Sequence, residues 1–489
     1  MLFNSYAFLI FFPIVVLLYF ALPAKLQRWW LLICSYYFYM CWDAKYIVLL
    51  LYATCVTYCA GRFVEKVRDT KYKKAGLVIS ISMCLLVLVL FKYTTFLISS
   101  INGIIVLFHG AYTFPIKNIL LPMGISFYTF QALSYVIDVY RGNIEAEKSM
   151  VNYALYISFF PQLVAGPIER SKNLLTQIHK VHIFDYYRMR DGLIVMLWGY
   201  FMKLVIADRA AVIVDTVYGN YTEYHGMHLI VATILFAVQI YCDFGGYSMI
   251  AIGAAQVMGF ELMENFNCPY FAQTVDGFWR RWHISLTSWF KDYVYIPLGG
   301  NRKGQKRKEL NKLIVFLLSG LWHGAEWSFV IWGGLNGLYQ VIGEKLLPVR
   351  TFICKKLGIC VNTVGHKLLK VFTTFLLIDF AWIFFRADTV KDALWIVKDI
   401  FTTWNPWVLF DQSIYEMGLN RQNVQLLWIA IFILIFADAL KYKRISVRET
   451  IIKQHLVYRW IFYLVALFFV IIFGWYGSDY GSSFIYFQF

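Results

Sequence analysis

Along the chain, long apolar runs alternate with short polar clusters, most of them basic. A hydrocarbon layer of about 30 Å takes about 20 helical residues to cross. Stretches able to fill it recur at 5–22, 77–97, 327–347, 368–385 and 460–475, with shorter ones between them. The pattern predicts an all-α polytopic membrane protein, one multi-pass domain over residues 1–489 with about eleven or more helices. No repeat, low-complexity linker or Gly/Ser/Pro-rich boundary divides it. The first run has no Lys or Arg before it, and Pro23 falls where a signal peptide would be cut, so it reads as a retained transmembrane helix.

Two apolar blocks carry an interruption. Residues 120–140 hold Pro122, Gly124, Ser126 and Gln131. Irregular backbone at membrane depth survives only inside protein or beside a water-filled cavity, so a site is expected near it. The block between Lys312 and Arg350 breaks at Trp322-His323-Gly324-Ala325-Glu326. Its first part, 313–321, is too short to cross, so the block should enter the membrane and return with the break at depth.

Composition supports this reading and narrows the partners. Hydrophobic residues make up 60% of the 489 and charged ones only 15%, which excludes an ordinary soluble domain. The net charge of +16 would suit a polyanion, yet it sits in clusters at 25–28, 62–74, 169–190, 302–312, 350–370 and 441–448. Such clusters between apolar runs orient a protein in the lipid bilayer, and nucleic acid is not an expected partner. With the clusters in the cytoplasm, the N-terminus, the turn near Asp43, the segment 387–422 and the tail 476–489 lie outside. The nine cysteines lack metal-ligand spacing and read as small buried hydrophobes, so no metal is expected.

Chemistry concentrates at two of nine histidines. His323 interrupts an apolar block, where an ionisable residue is costly and therefore a functional candidate, although a neutral core histidine held by a carbonyl fits equally. His283 lies in 276–297, whose Trp282, Leu286, Trp289 and Tyr293 fall at helical spacing opposite Arg280, Arg281, Ser288, Lys291 and Asp292. That stretch should lie along the interface or line a cytoplasmic funnel. Neutral imidazole is what acyl transfer to a hydroxyl needs, because the alcohol loses its proton as it attacks a thioester carbonyl. No Gly-x-Ser-x-Gly elbow offers a serine nucleophile. Trp322, Asn336 or amides after Gly324 could serve the oxyanion. Tyr241 and Asp243 stand beside Gly245-Gly246, read either as a tight turn between helices or as backbone open to a ligand. Gln162 and Glu169 bracket another polar break; Asp138, Asp379 and Asp438 should pair with Lys or Arg. The basic run 302–312 could meet donor phosphates, or simply anchor orientation.

The string Asp276-Gly277-Phe278-Trp279-Arg280-Arg281-Trp282-His283-Ile284-Ser285-Leu286, continued by 292–304 and by Gly320-Leu321-Trp322-His323-Gly324, resembles the membrane-bound O-acyltransferase family. Nearly the whole chain shares the likeness, including 162–169, 241–248 and the closing 484–489. Within the family it resembles the bacterial branch that includes the alginate O-acetyltransferase membrane subunit. The resemblance implies a ring of tilted helices around a tunnel with a cytosolic donor entrance and an extracytoplasmic acceptor entrance. It makes His323 the counterpart of the buried catalytic histidine and His283 that of the second histidine. It further implies an acyl thioester such as acetyl-CoA as co-substrate with no bound cofactor, a polysaccharide acceptor, and a hydrolase-like extracytoplasmic acyltransferase as partner. Donor or acceptor would pass Trp322, Asn336, Asp243, Tyr241, Gln162, Glu169, Arg280 and Arg281. D-alanyl transfer to teichoic acid, or a transporter or channel, are the competing readings.

Overall fold

Apolar runs too long for a soluble core become helices, since a helix satisfies its own backbone hydrogen bonds where no water can. The computed structural model describes residues 1–109, 113–116, 121–164, 166–476 and 484, and among these no strand occurs. Of the tail, 477–483 and 485–489 lie outside the described residues, as do 117–120 and Ala165. Contacts gather the chain into two units, Met1–Met196 with Ser248–Met263, and Leu197–Tyr247 with Glu264–Phe489.

In chain order the first helices are α1 (Tyr6–Ala21), α2 (Ala24–Met40), α3 (Ile47–Lys66), α4 (Thr70–Leu88) and α5 (Thr94–Leu107). They are followed by α6 (Ile125–Arg141), α7 (Met150–Ser158), α8 (Phe160–Leu163), α9 (Ser171–Ile178), α10 (Tyr186–Tyr200), α11 (Asp208–Gly219) and α12 (Met227–Met258). Next come α13 (Val275–Trp279), α14 (Ile284–Phe290), α15 (Gln305–His323), α16 (Trp327–Lys345), α17 (Leu347–Lys356) and α18 (Val364–Arg386). The last are α19 (Val390–Thr402), α20 (Arg421–Tyr442), α21 (Val447–Ile452) and α22 (Leu456–Phe473). Six helical stretches among the described residues are long and apolar enough to cross a membrane: Ala44–Lys66, Thr70–Leu107, Met227–Met258, Val364–Arg386, Arg421–Tyr442 and Leu456–Phe473. Several leave large apolar side chains open, such as Phe432 and Phe436 on α20 and Ile472 on α22, as lipid-facing surfaces must. The chain is an all-α, multi-pass membrane protein.

Three expectations change. The stretch 241–248 is no break, because α12 runs through Gly245 and Gly246 without interruption. Those glycines serve close helix packing: a Cβ on Gly246 would stand 2.7 Å from the Gly199 carbonyl and 3.0 Å from the Lys203 nitrogen. Small residues let backbones approach in membranes, where no hydrophobic driving force separates helix from lipid. The stretch 276–297 is not one helix along an interface. It divides into α13 and α14 around His283, whose left-handed backbone (φ +43°) no right-handed helix continues through. Its apolar stripe is buried in protein, with Trp282, Leu286 and Trp289 nearly inaccessible. Among the described residues 121–140, irregular backbone is confined to the start. Gly124 (φ +72°) caps α6, where a Cβ would meet the Leu163 carbonyl at 2.6 Å, and α6 is regular thereafter.

The break at 322–326 is present, since α15 ends at His323 and α16 starts at Trp327. The two helices form a tight hairpin, as a Cβ on Gly320 would run into the Phe329 carbonyl and one on Gly333 into the Phe316 carbonyl. Of the three acids expected to pair with Lys or Arg, Asp138 meets the Asn143 amide at 3.2 Å and Asp438 accepts from the Tyr241 hydroxyl at 2.9 Å. Asp379 has no Lys or Arg partner among the described residues. Replacing Gly246 with Ala should cost about 1–3 kcal/mol of stability through overpacking, read as a lower unfolding temperature of the purified protein in detergent.

Candidate active site

The second unit holds both histidines that the sequence singles out, and the fold brings them together. His323 is the last residue of α15 and His283 the residue before α14, with imidazole centroids 6.1 Å apart. His323 is only 3% exposed and His283 not at all, so the funnel-lining position expected for His283 is replaced by full burial. Aromatic rings close round them. His323 meets Trp322 at 4.9 Å, Trp332 at 5.1 Å and Phe385 at 5.5 Å, each near edge to face. His283 meets Phe244 at 4.7 Å and Trp322 at 5.9 Å. Trp382 stacks on Trp332 at 5.6 Å and contacts Trp282 at 5.2 Å, while Trp279 meets Trp332 at 5.6 Å, so α13 with the turn after it, α16 and α18 share one wall.

The elements behind that wall explain the remaining candidates. Asn336 accepts from the Trp279 indole at 3.1 Å and donates to the Trp332 carbonyl at 2.9 Å, so its amide fixes two wall tryptophans. Tyr241 donates to Asp438 and packs against Phe266 and Tyr270. Asp243, 1% exposed, lies 2.7 Å from the Lys203 ammonium, which also lies 2.7 Å from Asp208. Arg280 is exposed and paired with Asp276 at 2.9 Å. Arg281 donates to the Asn267 carbonyl at 3.2 Å and lies over Tyr442. Gln162 and Glu169 belong to the first unit. There the Gln162 amide donates to the Tyr156 carbonyl at 2.8 Å, and Glu169 accepts from Asn173 at 2.7 Å and from the Met263 amide. Burial pushes the Glu169 carboxyl above the usual carboxylate range, opposed by these donors.

Within the basic run, Lys308 and Lys312 both pair with Glu344 and Lys345 pairs with Glu309, which staples α15 to α16. Arg302, Lys303 and Lys306 are exposed.

Two imidazoles buried among aromatic rings can take and return a proton, the chemistry of transfer to a hydroxyl. The profile of the membrane-bound O-acyltransferase family matches residues 31–351. The chain belongs to the membrane-bound O-acyltransferase family. It is 36% identical over 441 residues to the probable alginate O-acetylase AlgI of Pseudomonas aeruginosa, covering 89% of this chain and 80% of that protein. It is 32% identical over 431 residues to the peptidoglycan O-acetyltransferase of Helicobacter pylori, covering 81% and 79% respectively. The teichoic acid D-alanyltransferase of Bacillus subtilis matches at 26% over 237 residues, 45% of this chain and 58% of that protein. As a member of this family the chain is an O-acyltransferase that uses an acyl donor as co-substrate.

Sequence reasoning passed over the Lys203–Asp208–Asp243 cluster. A lysine in the middle of the apolar run 197–207 was the available signal. It lies on the π-helical turn Phe201–Ala207 that joins α10 to α11. Asp243 precedes Phe244, so the cluster holds the part of α12 that presents a ring to His283. Lys203→Met would leave two carboxylates buried without their cation. It should cost about 3–5 kcal/mol, seen as loss of thermal stability in detergent, and the added changes Asp208→Asn and Asp243→Asn should recover most of it.

Proposed function

We propose that this O-acyltransferase moves an acetyl group from a cytosolic thioester, acetyl-CoA in the first instance, to a hydroxyl of an extracytoplasmic polysaccharide or of a partner that acylates it. The pair of buried imidazoles 6.1 Å apart inside the aromatic chamber carries the reading. His323 takes the proton of the attacking hydroxyl. The oxygen then adds to the thioester carbonyl, the carbon–sulfur bond breaks, and the proton passes to the departing thiolate. His283 holds the reacting group against His323, while the surrounding rings keep out the water that would hydrolyse the thioester.

The acetyl group and the polysaccharide acceptor are favoured by the similarity to the alginate and peptidoglycan enzymes, which extends over more of this chain than that to the alanyl-transferring one. The basic clusters favour a cytoplasmic donor side with both termini outside. The open apolar side chains Phe401, Trp404, Trp407 and Phe410 in the segment 387–422 supply a surface for a hydrolase-like extracytoplasmic partner.

The test is acetyl transfer or release from radiolabelled acetyl-CoA by purified protein in liposomes. His323→Ala should lose about 10²-fold or more of the rate, with folding and expression retained, and His283→Ala should also be impaired. Undiminished transfer by the His323 variant would remove the assignment; turnover only with charged carrier proteins would move the donor from acetyl-CoA to a carrier. With Arg302, Lys303 and Lys306 left to meet donor phosphates, exchanging each for Ala should raise the donor KM up to about fivefold at low salt while kcat stays unchanged. A KM indifferent to all three would place the donor elsewhere.

A further inference from the structure

His283 is held in a conformation its residue type does not favour. Its backbone is left-handed (φ +43°, ψ +53°) although it has a Cβ, and it is wholly buried. Left-handed backbone at a non-glycine persists when neighbouring structure enforces it. That enforcement is visible on both sides of the residue. Downstream, the Ile284 N–H donates to the Asn265 carbonyl at 3.0 Å. The Ser285 N–H and hydroxyl both donate to the Asn265 side-chain oxygen, at 3.3 and 2.6 Å. Upstream, the Asn267 N–H donates to the Arg281 carbonyl at 2.9 Å, and the Arg281 guanidinium donates back to the Asn267 carbonyl at 3.2 Å.

Residues 265–267 therefore clamp the chain on either side of His283. Between the two asparagines, Phe266 turns into the aromatic wall, 4.9 Å from Trp282 and 5.1 Å from Phe244. Asn265 is 1% exposed and Ser285 is fully buried, so no water competes for these bonds. The requirement at 265 is specific: one short side chain whose oxygen accepts from two donors of one residue while its carbonyl accepts from the preceding one.

We infer that Asn265 is a positioning residue of the acyltransferase: through Ile284 and Ser285 it fixes the left-handed turn at His283 and so sets where that imidazole stands relative to His323. The inference rests on the role proposed for His283. A displaced imidazole still leaves donor and acceptor bound, so the consequence falls on the chemical step. Misplacement of a reacting group by about 1 Å costs on the order of 10²-fold in rate.

The experiment compares kcat and donor KM for acetyl transfer from acetyl-CoA by the full-length protein in liposomes. The variants are Asn265→Ala, Asn265→Asp, Ser285→Ala, His283→Ala and the double variants with His283→Ala. Asn265→Ala should lower kcat about 10- to 100-fold with donor KM unchanged. Asn265→Asp keeps the accepting oxygen and should retain most of the rate. In the His283→Ala background, Asn265→Ala should cost nothing further, whereas a merely structural residue would add its full loss. A fully active Asn265→Ala enzyme, an Asp variant as impaired as the Ala one, or additive losses would overturn the inference. Should Asn265→Ala fail to fold, Ser285→Ala carries the same test, because it removes the shorter bond and must also couple to His283→Ala. An impaired His283→Ala enzyme beside an unimpaired Asn265→Ala one sinks the clamp alone. A His283→Ala enzyme with full activity sinks the role of His283, and the clamp with it.

Discussion

Inside a hydrocarbon layer a polar group has only protein to answer it, and that constraint organises the second unit of this chain. Lys203, buried in the protein, is met by Asp208 and Asp243. The need to bring these three together draws the π-helical turn 201–207 against α12, and Gly246 permits the approach. Along α12, Tyr241 turns to Asp438, Asp243 to Lys203 and Phe244 to His283. One helix thus carries a hydrogen bond, an ion pair and a ring contact to the chamber within four residues. A buried ion cluster of this kind costs much of what it returns in stability, so its value lies in fixing one arrangement of the helices around it.

The histidines obey the same constraint differently. Their neighbours are mostly rings, and the wall is itself held by polar links such as the Asn336 amide between the Trp279 indole and the Trp332 carbonyl. Rings of this kind shield the two imidazoles from solvent, which is the setting that the proposed proton transfer requires. The basic run 302–312 divides by partner. Lys308 and Lys312 hold the α15–α16 hairpin through Glu344, while Arg302, Lys303 and Lys306 are exposed.

Several sequence expectations changed at places where one local pattern admits two tertiary outcomes. Gly245-Gly246 in an apolar run fits a break or a helix contact equally well, since glycine relieves both backbone strain and steric crowding; the partner at Gly199 decides. The period of Trp282, Leu286, Trp289 and Tyr293 is helical, and much of that stretch is helical, but nothing in the period reveals that Asn265 and Asn267 pull the chain into a left-handed turn at His283. The apolar stripe was legible, yet whether it met lipid or protein was not, because both reward the same residues.

By itself the sequence determined that the chain crosses a membrane, that it is helical, and that His323 sits at an interruption of an apolar block. These follow from hydropathy and from the cost of burying polar groups, which act on local composition. The long motif string around His283 and His323 also carried the family likeness. Only the tertiary structure decided that the two imidazoles, forty residues apart, stand 6.1 Å from each other, that Lys203 neutralises Asp243, and that Asn265 shapes the turn at His283. Those relations join segments distant along the chain. Their physical basis is the distance and direction between side chains, which the packing of whole helices sets and no local pattern encodes.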